Sequence, residues 1–256
     1  MPAFSAGIWT ARGLTLSFVL LWQVLSFYLP PYLLPAPLAV AQAVVQLFGD
    51  ASFYRHAALS IWHVVGSILV AFVIGLTLAL IGHFLPVTQH GIYNRLNLFL
   101  SSFSTIGWTF LALMWFGLND VTVMFAVSIT LLPFALSNLR TSLEQLDSDL
   151  VEMASSFGRS RPRLLKLLIL PLMVPYIFAT LRICLGVSWK VVLTAELFGG
   201  TSGLGYLVSR ARANMDVPKL FAIIVVIVCF VYVTDKYVLE KIQGRLRKNH
   251  AATGNA

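Results

Sequence analysis

The sequence predicts an all-α, polytopic membrane domain of about six crossing helices. Three features point there. Of 256 residues, 58% are hydrophobic and only 11% are charged, whereas a soluble globular chain carries about 25% charged residues. The mean hydropathy is +0.84. The apolar residues also gather into stretches close to the roughly 20 residues that cross a hydrocarbon layer. So apolar a chain has too little polar surface to face water and needs lipid as its solvent. One membrane domain over residues 1–256 is therefore expected, rather than one or two soluble domains.

The elements follow in order. A first span runs from about Leu14 to Leu29 and stops at Pro30-Pro31; being short, it is expected to start upstream of Leu14. Pro30, Pro31, Pro35 and Pro37 then break the chain, and Leu38, Ala41, Val45 and Phe48 lie at helical spacing. That pattern predicts an amphipathic helix lying at the interface within Pro30–Arg55. The second span covers about Ile61 to Phe84, where Gly66, Gly75 and Gly82, with Ser67 and Ala79, permit close helix contact. The third span covers about Leu96 to Leu118 and the fourth about Val121 to Leu139. A short turn around Gly117–Asp120 joins these two and predicts an antiparallel hairpin. Residues 140–166 form the longest polar interruption. The fifth span runs from about Leu167 to Phe198. A glycine-rich loop with a short helical piece fills Gly199–Lys219, and the sixth span runs from about Leu220 to Val238. A basic tail follows from Lys236, expected to be disordered over about residues 245–256.

The net charge of +8 is topological in this reading. With both termini on one side, twelve of the eighteen Lys and Arg residues fall on that side, four on the other and two inside the fifth span. The bias places both termini on the cytoplasmic side of the membrane. Nucleic acid is not an expected partner, because the sequence has no basic stripe or recognition motif. Arg12 leads into a long apolar run with no small-residue cleavage site, so a cleavable signal is not expected. Cys184 and Cys229 lie in apolar stretches and show no metal-ligand spacing. No paired carboxylates or nucleophile–base set stands at fixed spacing, and no GxxxxGK[ST] phosphate loop occurs. Catalysis, a bound metal and a cofactor are therefore not expected in this chain; if ATP drives it, ATP and magnesium sit on another polypeptide.

The polar loop carries the most information. Asp149 with Glu152 three residues on fits a helix N-cap. Gly158 suits the stop of that short helix. Arg159, Arg161 and Arg163 follow, Pro162 breaks the chain, and Pro171 and Pro175 fall near the start of the fifth span. The pattern predicts a short helix held outside the membrane between two bent connections, placed to pass a push from a soluble partner into the fourth and fifth spans.

This segment resembles the signature of binding-protein-dependent ABC importer permeases: Glu-Ala-Ala, a Gly four positions later, an apolar residue ten further on, then Leu-Pro. Glu152, Ala154, Gly158, Leu170 and Pro171 match, while Met153 and Leu168 replace the usual Ala and Ile. Arg182–Gly200, Gly203–Tyr206, Met114–Gly117 and the pair Pro35 and Pro37 look like the nitrate/sulfonate/taurine group of these permeases. The chain departs from that group at Ser104–Leu113, which lacks the prolines usual there, and at Trp62-His63, where an Arg is common. The resemblance implies a type I importer. Two permease copies, usually identical, pair in the membrane. Two ATPase subunits dock from the cytoplasm, and a periplasmic or lipid-anchored binding protein delivers the solute. The loop helix would be the coupling helix, with Glu152, Met153, Ala154, Ser155, Gly158 and Arg159 meeting the ATPase.

Arg182 and Lys190 lie inside the fifth span, where each charge at mid-bilayer costs roughly 2.5–3.5 kcal/mol. Eight residues apart, they are separated by about 80° around an α-helix and can share a face. Two readings stay open. With Glu196 and Trp108 they line the path of a small anion such as nitrate, taurine, another sulfonate or a carboxylate. Alternatively, the two cations pair with Glu196, Asp216 or Asp235, or Arg182 snorkels toward an interface, and Trp108 is a packing residue. A secondary transporter or channel working without an ATPase is the other function class; it would have little need for the Glu152–Gly158 loop, and the two-fold repeat common in such proteins is not found.

Overall fold

In the computed structural model of the chain, residues 2–146 and 165–234 are described. They form α1 (Pro2–Tyr28), α2 (Pro37–Gly49), α3 (Ala51–Phe84), α4 (Pro86–Gln89), a π-helical segment (His90–Leu96), α5 (Asn97–Ser102), α6 (Thr105–Phe116) and α7 (Asp120–Glu144). Beyond residue 164 come a π-helical turn (Leu165–Ile169), α8 (Leu170–Gly199), α9 (Leu204–Ala213) and α10 (Val217–Thr234). Most boundaries have a local cause. The Asp50 carboxylate caps α3 by accepting from the Ser52 N–H, and these Ser52 hydrogen bonds hold its carboxyl below the usual carboxylate range. Ser104 caps α6 through the Gly107 N–H, and Asn119 caps α7 through the Thr122 N–H. Gly117, at φ 75°, closes α6 in the left-handed region that disfavours any residue with a Cβ.

The long helices have a definite direction. His63 meets Asp120, Ser67 meets Met124, and Gly75 meets Ala135. Helices α3 and α7 are therefore parallel. Glu196 returns to His63, so α8 is antiparallel to both. One end of the bundle carries the starts of α3, α7 and α10 and the finish of α8. The other carries Phe84, Glu144 and Leu165. We call these the near and far ends.

The chain must recross between Phe84 and Asp120. It does so by a broken path: Pro86–Ser102 and Thr105–Phe116 meet at 86°. The third span expected over Leu96–Leu118 is thus two pieces, because Ser104 starts a new helix where a continuous one was anticipated. Its hairpin with α7 stands as expected. Among the described residues, four helices are long and apolar enough to cross a membrane, or five counting the bent pair. The expected first span, Leu14–Leu29, corresponds to α1, which reaches back upstream to Pro2 and whose stretch Ser17–Tyr28 is among the shorter apolar helices. The expected interfacial helix is α2, which packs on α10.

Helix α7 is the axis, with α3, α5, α6 and α8 around it. Small residues set its spacing. A Cβ on Gly75 would stand 3.1 Å from the Ala135 Cβ and 3.3 Å from the Leu136 amide nitrogen. Lipid tails are as apolar as leucine, so such contacts hold helices by fit and dispersion rather than by exclusion of water. Leu131, Ala126 and Trp189 fill the middle of the bundle; Leu47, Phe53 and Ile223 fill the near end; Leu139, Ile169 and Met173 fill the far end. Val73 and Val228 lie on the outer surface, with relative exposures of 59% and 62%.

Candidate functional site

At the near end a charged side chain is wholly enclosed. Glu196, in the last turn of α8, has no solvent exposure. An unpaired carboxylate there would be very costly, and each of its two oxygens has donors nearby. Ser60 on α3 lies 2.8 and 2.9 Å from the two carboxylate oxygens. The His63 Nδ1, one turn on, lies 2.8 Å from Oε1. The Gly205 N–H donates to Oε2 at 2.9 Å. Ser60 also accepts the Leu204 N–H at 2.7 Å, and the His56 Nδ1 accepts the Gly203 N–H at 3.1 Å.

These contacts satisfy the otherwise orphaned N–H groups that open α9. The carboxylate thus sits at the positive end of that helix. Gly203, at φ 100°, is required twice: by its backbone angle, and because a Cβ there would collide with the Glu196 carboxylate. The cluster continues to α7. The His63 Nε2 stands 3.5 Å from the Asp120 carboxylate, an ion-pair separation without hydrogen-bond geometry. The Ser202 hydroxyl donates to the same oxygen at 2.6 Å. Three crossings, α3, α7 and α8, are thereby tied to α9.

Ser, Glu and His together invite comparison with a hydrolytic triad, but the geometry is wrong. The carboxylate stands between the hydroxyl and the imidazole, and Ser60, His63 and Glu196 are all 0% exposed. No substrate atom reaches the hydroxyl. The arrangement can fasten helices; it has no opening for chemistry.

The residues expected to line a path do not form one group. Glu196 belongs to the knot, and the donors around it do not include Lys190. Trp108 is 5% exposed, packed edge-on between Phe99 and Phe103, with its Nε1 3.4 Å from the Leu100 carbonyl. It is a core residue of the bend. Arg182 is half-buried at the middle of α8. Lys190 is exposed, and no described acidic side chain lies within ion-pair distance of it. It shares an outward stripe of α8 with Phe178, Arg182, Gly186 and Thr194, and a Cβ on Gly186 would meet open space. Near the same end, Asp50, Arg210, Asp216 and Lys219 line a cleft of about 250 Å³. Glu152, Met153, Ala154, Ser155, Gly158 and Arg159 lie outside the described residues.

His63, Ser60 and Asp120 carried little sequence signal. Ser60 and His63 stand one helical turn apart, but their partner is 133 residues beyond His63. A buried carboxylate in an apolar span signals that some partner exists, and Lys190 and Arg182 were the nearer candidates along the chain.

The sequence model of the family described as "Binding-protein-dependent transport system inner membrane component" matches residues 71–238. A putative ABC transporter permease protein of Methanocaldococcus jannaschii is 28% identical, covering 86% of this chain and 87% of its own length. The taurine transport system permease protein of Escherichia coli is 27% identical over 90% of this chain and 85% of its own. A putative aliphatic sulfonates transport permease protein of Bacillus subtilis is 25% identical over 89% and 83%.

Proposed function

As the chain belongs to the binding-protein-dependent transport system inner membrane components, in the nitrate/sulfonate/taurine group of ABC importer permeases, we propose that its solute is a small organic anion of the sulfonate class. The observation that carries this is Lys190. A cation on the outer face of a membrane helix, with no described anionic partner, is costly against lipid. The cost vanishes if that face lines a wet path. It lies about 13 Å below the near end of α8, by the rise of a helix. Two relatives whose names specify taurine and aliphatic sulfonates support the same class.

The assembly we infer is a homodimer of this chain, with two ATPase subunits on the cytoplasmic side and a periplasmic or lipid-anchored binding protein opposite. The ATPase chain supplies the ATP and magnesium sites. The far end faces the cytoplasm with both termini, since Leu146 and Leu165 lie there and the sequence between them carries Arg159, Arg161 and Arg163. Glu152, Met153, Ala154, Ser155, Gly158 and Arg159 engage the ATPase. The near-end cleft with Arg210 and Lys219 then faces the binding protein.

The test is uptake of a labelled alkanesulfonate by the reconstituted complex. Lys190→Met is expected to raise KM by about fivefold, the size of a loss of roughly 1 kcal/mol in anion attraction. Lys190→Arg retains the wild-type KM, and basal ATPase activity is unchanged in both. An unaltered KM in Lys190→Met removes Lys190 from the path.

A further inference from the structure

The break in the third crossing leaves a cavity of about 530 Å³ between α5, the start of α6 and the middle of α7. Its walls are unusual for a membrane protein's outer surface. Asn97, Ser101, Ser104, Thr130, Ser137 and Asn138 line it. Thr130 and Asn138 lie about 15 and 27 Å along α7 from its near end, so the cavity covers the middle and far half of the crossing. Ser101, Ser104 and Ser137 are exposed in the single chain. Polar side chains at that depth face a bundle interior or water rather than lipid.

The hydrogen bonds around the cavity leave unused capacity. Asn97 donates from Nδ2 to the Ser137 oxygen at 3.0 Å, while its Oδ1 is buried with no partner. A buried acceptor of this kind is satisfied when a donor such as water enters. The Ser137 oxygen accepts from Asn97 and the Ser104 oxygen from Gly107, so both hydroxyl protons remain to be given. Asn138 gives one amide proton to the Phe134 carbonyl at 2.7 Å and keeps the other. Pro133, on the cavity wall, has no N–H and leaves the Ile129 carbonyl without its helical partner. Phe103 and Phe134 supply apolar wall beside these groups. No charged residue lines the cavity.

We propose that this cavity is a transient solute subsite, where Ser104, Ser137 and Asn138 hold the oxyanion head of a small organic anion while Phe103 and Phe134 face its carbon chain. The assignment rests on the permease reading and adds a place for the solute away from Lys190. Neutral donors suit a waypoint: a solute must leave a transport site as readily as it enters.

The experiment is cysteine accessibility in the full chain co-expressed with its partners. The parent carries Cys229→Ser, since Cys229 is exposed and the remaining Cys184 is buried. Ser101→Cys, Ser137→Cys and the outer-surface control Val73→Cys are each exposed to membrane-impermeant 2-sulfonatoethyl methanethiosulfonate. Both groove cysteines are expected to react about tenfold faster than Val73→Cys, because the lipid-facing control has no water around it. Ethanesulfonate is expected to slow the Ser137→Cys reaction saturably, and choline to leave it unchanged. Groove cysteines that react no faster than the control mean that lipid fills the cavity, which overturns the proposal. Fast labelling that ethanesulfonate does not slow means a wet groove without an anion site, which also overturns it. Labelling is read without transport, so a complex that fails to take up solute would count against the permease reading for sulfonates, while protection by ethanesulfonate would still establish the cavity as an anion site.

Discussion

Glu196→Ala is expected to be the most destabilising single substitution in the described bundle. Removing the carboxylate leaves His63, Ser60 and the Gly205 N–H enclosed with nothing to bond, at a site with no solvent exposure. Breaking a buried hydrogen-bonded charge cluster costs roughly 3–5 kcal/mol. For a chain of this size that is a fall in Tm on the order of ten degrees. Thermal unfolding of the purified protein in detergent measures it. Glu196→Gln preserves the shape and one acceptor oxygen, so it should fall between wild type and alanine. His63→Ala should cost less than Glu196→Ala, because Ser60 and the Gly205 N–H still hold the carboxylate, and the double variant should cost less than the sum of the two, since they share the Nδ1–Oε1 contact. A Tm unchanged in Glu196→Ala would mean that α9 is held by its apolar contacts with Leu47 and Ile223 rather than by the knot.

The second large effect is expected at the loop. Substituting Glu152 by Lys, or Gly158 by Val, should leave the protein folded and in the membrane, because both belong to the polar stretch between the fourth and fifth apolar runs of the sequence. Coupling should fail. Solute uptake is expected to fall by about 5–150-fold, the range of one lost coupling free energy. The ATPase should no longer respond to loaded binding protein. Side-by-side assays of uptake and ATPase stimulation separate this from unfolding, which abolishes both and lowers Tm. Normal stimulation in both variants would move the contact with the ATPase elsewhere.

Much of the architecture is legible in the sequence because lipid imposes a simple requirement: apolar runs of span length, ended by residues that stop helices. Pro30-Pro31 ends the first helix, Gly117 makes the tight turn before α7, and Pro37 opens α2 as the first helical residue. The bend at Ser102–Thr105 is hidden in an average over apolar neighbours. Yet its cause is local and visible once sought: Ser101, Ser102 and Ser104 concentrate hydroxyls that bond backbone groups, and Ser104 takes the cap of a new helix. The knot is less legible. Its members come from residues 56–63, 120 and 196–205, and only the parallel run of α3 and α7 with α8 returning between them brings these together. Lys190 is the opposite case. Its anomaly is a charge in an apolar run, which the sequence displays directly. Whether such a charge is paired depends on the fold, and the fold leaves it on an outer face.

The most direct test is solute accumulation in sealed vesicles holding this chain and its binding protein, with and without the separate ATPase, at equal permease content. Accumulation against a gradient only in vesicles that carry the ATPase and are supplied with ATP on its side is the expected result. Accumulation in vesicles that lack the ATPase would contradict it and make the chain a transporter in its own right.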